Sequence, residues 1–378
     1  EYTSLPFEKL MALQGAIFKE VTDEMRVPLR NTAEEGIDAY YSRQVSAHWY
    51  YMQGRFWSTE RPNAEGQKLK GEDIAKKAID SYEKAIEIDK EYAQAYAGLA
   101  DMYASISGVS MDPTEAKNNA VRAVKNAQNF GENLAEVNAS IGTEKWWLER
   151  DFSTARLAFQ LAIRLNEQFS DSHKRYSSCL AALGKVREAE DEIQRALMME
   201  PDSSLMQLTK GQNHFFAHQY PEAIEQLRTL VSKYPTMSAA HRFLALALEQ
   251  KNQHDEALDQ LEQSKGKSEP DSDFLGTRAH ILARKGEVEE ARKIALSLET
   301  AREKAKKEKL NYVSPYNIAV IYAEIPNKEA EAFKWLDLAL LEFDPRVNWL
   351  KVDPRFSELR RAQESEFNQR LLAAGLPL

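Results

Sequence analysis

Residues 189–223 read AEDEIQRALMMEPDSSLMQLTKGQNHFFAHQYPEA and carry the clearest signal of the architecture. This stretch begins and ends on an alanine, and the interval of 34 residues between them recurs on both sides. The alanines at this interval are Ala155, Ala189, Ala223, Ala257 and Ala291. Equal spacing of five alanines indicates an internal repeat, and each unit is long enough for two helices of about 12 to 14 residues.

Three further positions of the period keep a fixed character. Four places after the alanine the residue is large or apolar in most units, seven places after it apolar or small, and twelve places before it small. The residues four places after the alanine are Phe159, Ile193, Leu227, Leu261 and Ala295. Those seven places after it are Ala162, Ala196, Leu230, Ser264 and Leu298. Those twelve places before it are Ser177, Gly211, Ala245 and Ala279. We expect the small residues where the two helices of a unit cross most closely, because larger side chains would overpack the crossing by about 1–3 kcal/mol.

The composition indicates a folded, helical chain. Of its 378 residues, 43% are hydrophobic and 29% charged, which excludes wholesale disorder. Glycine and proline are scarce, at 15 and 13 residues, so helix is expected for nearly every segment. No run approaches about 18 uninterrupted apolar residues, so we expect no membrane span. The net charge of −9 disfavours nucleic acid as a partner of this chain.

The repeated residues resemble the tetratricopeptide repeat (TPR), whose pattern W-x2-L-G-x2-Y…A-x3-F…P has the same period. The block AYAGLADMY at 95–103 is similar to the first helix of that motif. The resemblance implies an all-α fold, a right-handed α-solenoid of about eight helix pairs with capping helices at the N and C termini. We expect the array over 46–345, with units at 46–92, 93–134, 135–169, 170–203, 204–237, 238–271, 272–311 and 312–345.

Two segments flank the expected array. Residues 1–45 are expected to hold a helix and a linker, and residues 346–378 a capping segment with a turn at Asp353-Pro354 and a final helix that is polar on one side. The N-terminal helix, at 6–27, is amphipathic and either caps the first repeat or ends a preceding domain. Its apolar side carries Phe7, Leu10, Met11, Ile17, Val21 and Met25.

The sequence shows no targeting signal that would indicate a cell compartment. The chain starts at Glu1 without a basic and then apolar leader, so we expect a mature chain or an excised fragment. The compartment is unknown, with the cytoplasm favoured over the periplasm. The oligomeric state is equally open, and a homo-oligomer is compatible with the sequence.

Several blocks outside the generic repeat pattern resemble a bacterial subfamily of TPR proteins. They are YVSPYNIAVIYAE at 312–324, WLKVDPRFSELR at 349–360 and the final GLPL. In that subfamily the repeats form the C-terminal part of signalling proteins and follow a winged-helix, Ser/Thr kinase or nucleotide cyclase domain. No motif of those domains is present here. The resemblance therefore implies only their sensory or partner-binding arm.

The sequence offers no catalytic constellation, cofactor motif or metal site. Phosphate-cradling and nucleophile-elbow motifs are absent. His214 and His218 are four residues apart, hence on one face of the expected helix, but no third ligand accompanies them, which favours packing over metal binding. Cys179 is expected to be a buried small residue, and a single cysteine excludes an internal disulfide. We therefore expect a protein that is not an enzyme.

The resemblance places partner binding on the concave surface that the first helices line. We expect a protein or peptide partner with an apolar anchor and an acidic group, because aromatic and arginine side chains dominate buried contacts. The alternative is a small-molecule sensor that controls an effector domain, which a deep pocket walled by Trp146, Phe215 and Arg242 would favour. The candidate residues are Tyr51, Arg55, Trp146, Lys174, Arg175, Ser178, Leu208, Gln212, Phe215, Phe216, Arg242, Phe243, Gln250, Thr277, His280 and Arg284.

Overall fold

A computed structural model describes residues 45–58, 71–265, 271–308 and 311–378. The helix predicted over 6–27 lies outside these described residues. The helices are α1 (45–58), α2 (Gly71–Ile88), α3 (Ala93–Ile106), α4 (Pro113–Gly131), α5 (Ala135–Thr143), α6 (Phe152–Leu165), α7 (Ser170–Ala182), α8 (Val186–Met199), α9 (Ser204–Phe216), α10 (Tyr220–Lys233), α11 (Ser238–Glu249), α12 (His254–Lys265), α13 (Ser272–Lys285), α14 (Val288–Glu308), α15 (Pro315–Ala323), α16 (Glu329–Leu341), α17 (Ser357–Ala362) and α18 (Glu364–Ala373). A π-helical turn at Glu144–Leu148 continues α5, and 3-10 turns at Pro345–Trp349 and Pro354–Phe356 precede α17.

In the described residues the helices form eight pairs, from α1 and α2 to α15 and α16. Each helix from α2 to α15 packs on the next along the chain, and from α3 to α15 the first helices of consecutive pairs also pack on one another. Helix α1 packs on α2 where Gly54 lies against the Tyr82 ring. The first helices therefore line the inner side of a curved stack, and the second helices lie outside. The predicted all-α solenoid is confirmed.

The five alanines of the repeat are buried, with at most 2% of their surface exposed. The small residue of the first helix accommodates a large side chain of the second. A Cβ added at Gly211 would lie 2.7 Å from Cδ2 of Leu227, four residues after Ala223. At Gly142 it would lie 2.6 Å from Cε1 of Phe159. The close crossing therefore depends on a notch that receives the residue four places after the alanine.

Replacing Ala223 with leucine should lower the free energy of unfolding by about 1–3 kcal/mol, because the added atoms have no space in this packed crossing. Chemical denaturation followed by circular dichroism measures the loss. The matched change Ala301→Leu, at an exposed position of α14, should alter stability by less than about 0.5 kcal/mol. Equal effects of the two substitutions would contradict the tight crossing.

Candidate functional site: the inner face

The sixteen candidate residues all lie on first helices or at their ends, but they differ in exposure. Half-buried side chains with solvent-accessible surface are Arg55, Lys174, Arg175, Ser178, Gln212, Arg242, Phe243 and Gln250, and Arg284 is exposed. Buried ones are Tyr51, Trp146, Leu208, Phe215, Phe216, Thr277 and His280. Buried side chains need a rearrangement before they can touch a partner.

Residues 345–356, which we call the C-terminal segment, lie along the inner face. Arg346 donates a hydrogen bond from Nη1 to the carbonyl oxygen of Gly108, which follows α3, at 3.0 Å. Asn348 donates from Nδ2 to the carbonyl oxygen of Trp147, also at 3.0 Å. Val352 lies beside Gly184, which follows α7. One short segment thus touches the second, third and fourth helix pairs from inside.

An aromatic cluster holds the middle of this segment. Trp349 stacks on Phe216 with 4.1 Å between ring centroids and 13° between planes. The Trp349 ring also packs edge to face with the Trp146 ring, with 6.0 Å between the two ring centroids. The Phe215 ring packs edge to face with the Phe216 ring, with 5.1 Å between their centroids. Trp349 therefore fills space between the candidate aromatic residues that the small-molecule sensor alternative would need as a pocket.

An ion-pair cluster around Asp273 fixes the start of the segment. Arg346 Nη2 lies 2.7 Å from Oδ1 of Asp273, and Arg242 Nη1 lies 3.1 Å from Oδ2. Asn317 donates from Nδ2 to Oδ1 at 2.7 Å. Burial alone would raise the pKa of Asp273, but Arg346 and Arg242 lower it more strongly, so its pKa lies well below the usual value. The carboxylate therefore stays ionised and anchors both arginines.

A second charged cluster lies on the N-terminal half of the inner face. Arg175 donates from Nε to Oδ2 of Asp171 at 2.6 Å, and it also pairs with Asp101 of α3. Lys174 pairs with Asp171 as well. Burial raises the pKa of Asp101, whereas Arg175 and Lys174 outweigh burial at Asp171 and hold its pKa well below the usual value. The cluster links the second and fourth helix pairs across the concave surface.

A third cluster surrounds Glu249, whose side chain is fully buried at the end of α11. His280 Nε2 lies 3.1 Å from Oε2, and Arg284 Nε donates to Oε1 at 3.1 Å. Glu324 Oε1 faces the other ring nitrogen of His280 at 3.7 Å. Burial would raise the pKa of Glu249, but His280, Gln250 and Arg284 lower it to about 2. Here too charged groups join neighbouring first helices.

Sequence reasoning missed Asp171 and Asp273, the two carboxylates that organise the inner face. A signal was available, because each is the second residue of its first helix and precedes a candidate residue, Lys174 or Thr277, by one helical turn. The signal is weak, because acidic residues are abundant along the whole chain.

The predicted relation between His214 and His218 is wrong. Helix α9 ends at Phe216, and His218 adopts a φ of 60° in the turn that leads into α10. His214 contacts Gln219, with 2.8 Å between Nδ1 and Oε1, while His218 contacts Tyr220. The two rings therefore do not share a helix face.

Within the described ranges, no group of three or more histidine, cysteine or acidic residues could hold a metal ion. Cys179 is buried as predicted, and burial raises the pKa of its thiol to about 12, so the thiolate is rare at neutral pH. No helix in the described part of the chain combines the length and apolar character that crossing a membrane requires.

Comparisons with known proteins agree with this geometry. The tetratricopeptide repeat family profile matches residues 208–272. The APC/C hetero-tetramer Cut9–Hcn1 is similar in structure with a TM-score of 0.52 and 14% identity, over 76% of this chain and 52% of that chain. Yeast Tom70 scores 0.46 with 16% identity, over 86% of this chain and 67% of that chain.

A tetratricopeptide repeat protein from Parabacteroides merdae scores 0.45 with 14% identity, over 68% of this chain and 93% of that chain. None of the curated proteins matches the sequence. The matched repeat profile, the period of 34 residues and the stacked helix pairs lead to one assignment. The described helix pairs form a solenoid of the tetratricopeptide repeat type, and residues 208–272 match the profile of that family.

Proposed function

We propose that this chain is a non-catalytic TPR scaffold that binds a protein or peptide on its inner face, as the interaction or sensory arm of a bacterial signalling or regulatory system. In this proposal the eight helix pairs are eight repeat units over 46–345. The observation that carries it is that the inner face already holds one stretch of polypeptide from outside the helix pairs, the C-terminal segment. Aromatic stacking and an arginine–carboxylate pair hold that stretch, and a partner peptide uses the same kinds of contact.

The partner binds the part of the inner face that keeps accessible surface, around the first and fourth helix pairs. Lys174 and Arg175 are about one-fifth exposed there, at 20% and 19% of their side chains. Arg55 lies nearby, with its guanidinium 6.0 Å from the ring centroid of Phe169. These three basic groups outnumber the paired carboxylates of Asp101 and Asp171, so the cluster keeps a net positive charge. Net positive charge beside an aromatic ring suits a partner with an acidic group next to an apolar anchor. The sensor alternative has less support, because Trp349 fills the space that its pocket would need.

Peptides selected from a display library on the full chain test this function. Lys174→Gln should weaken the selected peptides by about tenfold, because one charged hydrogen bond contributes about 1.5–3 kcal/mol. Titration of labelled peptide by fluorescence anisotropy measures the change.

The matched control is Lys125→Gln, at an exposed position of the outer helix α4, and it should leave the dissociation constant unchanged. Selection of no peptide, or equal affinity of the two variants, would count against the inner face as the partner site. Circular dichroism melting of both variants separates a binding effect from unfolding.

A further inference from the structure

The third, sixth and tenth residues of a first helix lie on its side toward the preceding helix pair. A Cβ added at Gly98, the sixth residue of α3, would lie 2.5 Å from Cε1 of Tyr82 in the preceding α2. In the six pairs from α3 and α4 to α13 and α14, the third and tenth residues are all buried. They are Ala95, Met102, Val137, Glu144, Ser172, Cys179, Met206, Asn213, Ala240, Ala247, Phe274 and Ile281. None of the sixth residues in these pairs is exposed either.

Helix α1 carries large apolar residues at the sixth and tenth positions, but there they are exposed to solvent. Gly54 aligns with Gly142 and Gly211, the eighth residues of α5 and α9. By this alignment, rather than by counting from residue 45, Met52 is equivalent to a sixth residue and Phe56 to a tenth. Met52 is 48% exposed and Phe56 is 46% exposed. The side of α1 that a preceding helix would cover is therefore apolar and accessible.

This surface forms a concave site, which we call the α1 face. It has a volume of about 620 Å³, and its lining combines the apolar residues Trp49, Met52, Phe56 and Trp57 with the charged residues Lys77, Asp80 and Lys84. Lys77 lies over the Trp57 ring, with 4.4 Å from Nζ to the centroid. An apolar depression whose charged lining residues are two lysines and one aspartate is net positive, and it suits a helix that is apolar on one side and acidic along an edge.

We propose that residues 6–27 of this chain dock their apolar side on the α1 face and take the place of a preceding helix. The sequence supplies an amphipathic segment directly upstream. Residues 28–44 lie between it and α1, and 17 extended residues span up to about 55 Å, more than twice the length of about 21 Å of α1 itself.

Charge selects this occupant over a second copy of the chain. Glu20 and Glu24 follow one edge of the predicted apolar side and can meet the lysines of the α1 face. Two α1 faces stacked on each other would bring together four lysines and only two aspartates, Lys77, Lys84 and Asp80 from each copy, and this net positive charge disfavours a second copy. The proposal is independent of the partner site on the inner face.

Cysteine pairs in the full-length chain test the docking. One cysteine replaces Met52, and a second replaces either Val21, on the predicted apolar side, or Asp23, on the opposite side. The native Cys179 is buried with a raised pKa, so it does not compete for a thiol reagent. A short bis-maleimide is added at low protein concentration, and mass spectrometry with denaturing gels separates intramolecular from intermolecular products.

We expect Met52→Cys with Val21→Cys to crosslink within one chain about tenfold faster than Met52→Cys with Asp23→Cys, a ratio that corresponds to ~1.4 kcal/mol of preference. Adding Phe56→Asp should abolish this difference, whereas Leu157→Asp, at a 67% exposed position of α6, should preserve it. Equal crosslinking of the two pairs would overturn the proposal. Crosslinked dimers as the main product would overturn it too and identify a second copy as the occupant.

Discussion

Trp349→Ala is expected to lower the free energy of unfolding by about 3 kcal/mol, near the lower end of the loss for truncating a large aromatic residue, because Trp349 is only partly buried. The substitution removes the stack on Phe216 and the edge contact with Trp146. It also leaves a cavity in the middle of the inner face, which the surrounding helices fill only in part. Chemical denaturation of the full chain measures the loss.

Trp349→Phe is the matched control. A phenyl ring keeps most of the stack on Phe216, so the loss should stay below about 1.5 kcal/mol. Hydrogen exchange shows which part of the chain is destabilised. The alanine variant should lose amide protection in residues 345–356 before it does so in the outer helices. Wild-type stability of Trp349→Ala would contradict the packing of the C-terminal segment on the inner face.

The helical stack could be predicted from the sequence because its cause is local and repeated. Ala223, Leu227 and Gly211 recur with their equivalents every 34 residues, and each unit faces the same packing requirement. The periodic pattern therefore identifies the buried side of each second helix without knowledge of distant contacts.

The path of the C-terminal segment could not be predicted in this way. Its turns have no helical periodicity, and the contact between Arg346 and Gly108 joins residues 238 positions apart. The sequence predicted a cap at the end of the array, with a turn at Asp353-Pro354. In the structure that turn lies inside the stack, and Asp353 accepts a hydrogen bond from the Tyr316 hydroxyl at 2.8 Å.

In the candidate site, too, the sequence predicts the position of a residue in the repeat but not its long-range contacts. Repeat positions indicate which residues lie on first helices, so Phe216 and Lys174 could both be chosen from the sequence. Their exposure depends on what else occupies the groove, and no repeat position contains that information. Phe216 is covered by Trp349, whereas Lys174 keeps accessible surface. Their roles in partner binding stay predictions.

Glu249→Gln should also have a large effect, a loss of about 3 kcal/mol at neutral pH. The wild-type carboxylate is fully buried between His280 and Arg284, and removing its charge leaves Arg284 with only the more distant carboxylate of Glu324, 3.8 Å away. The magnitude agrees with the pKa of Glu249, which the fold lowers from 4.5 to about 2, since one pKa unit corresponds to about 1.4 kcal/mol. Urea denaturation at several pH values measures the difference between the variant and the wild type.

The sign of the pH dependence follows from this lowered pKa. A depressed carboxyl pKa stabilises the fold fully above the unfolded value of 4.5, and the contribution disappears as the pH falls toward about 2. The difference between wild type and Glu249→Gln should therefore be constant from pH 7 to about 5 and shrink below that. Glu262→Gln, which removes a half-exposed carboxylate paired with Arg278, should cost less than about 1 kcal/mol. A Glu249 effect that is equally large at pH 7 and pH 3 would show that lost packing, rather than lost charge, destabilises the variant.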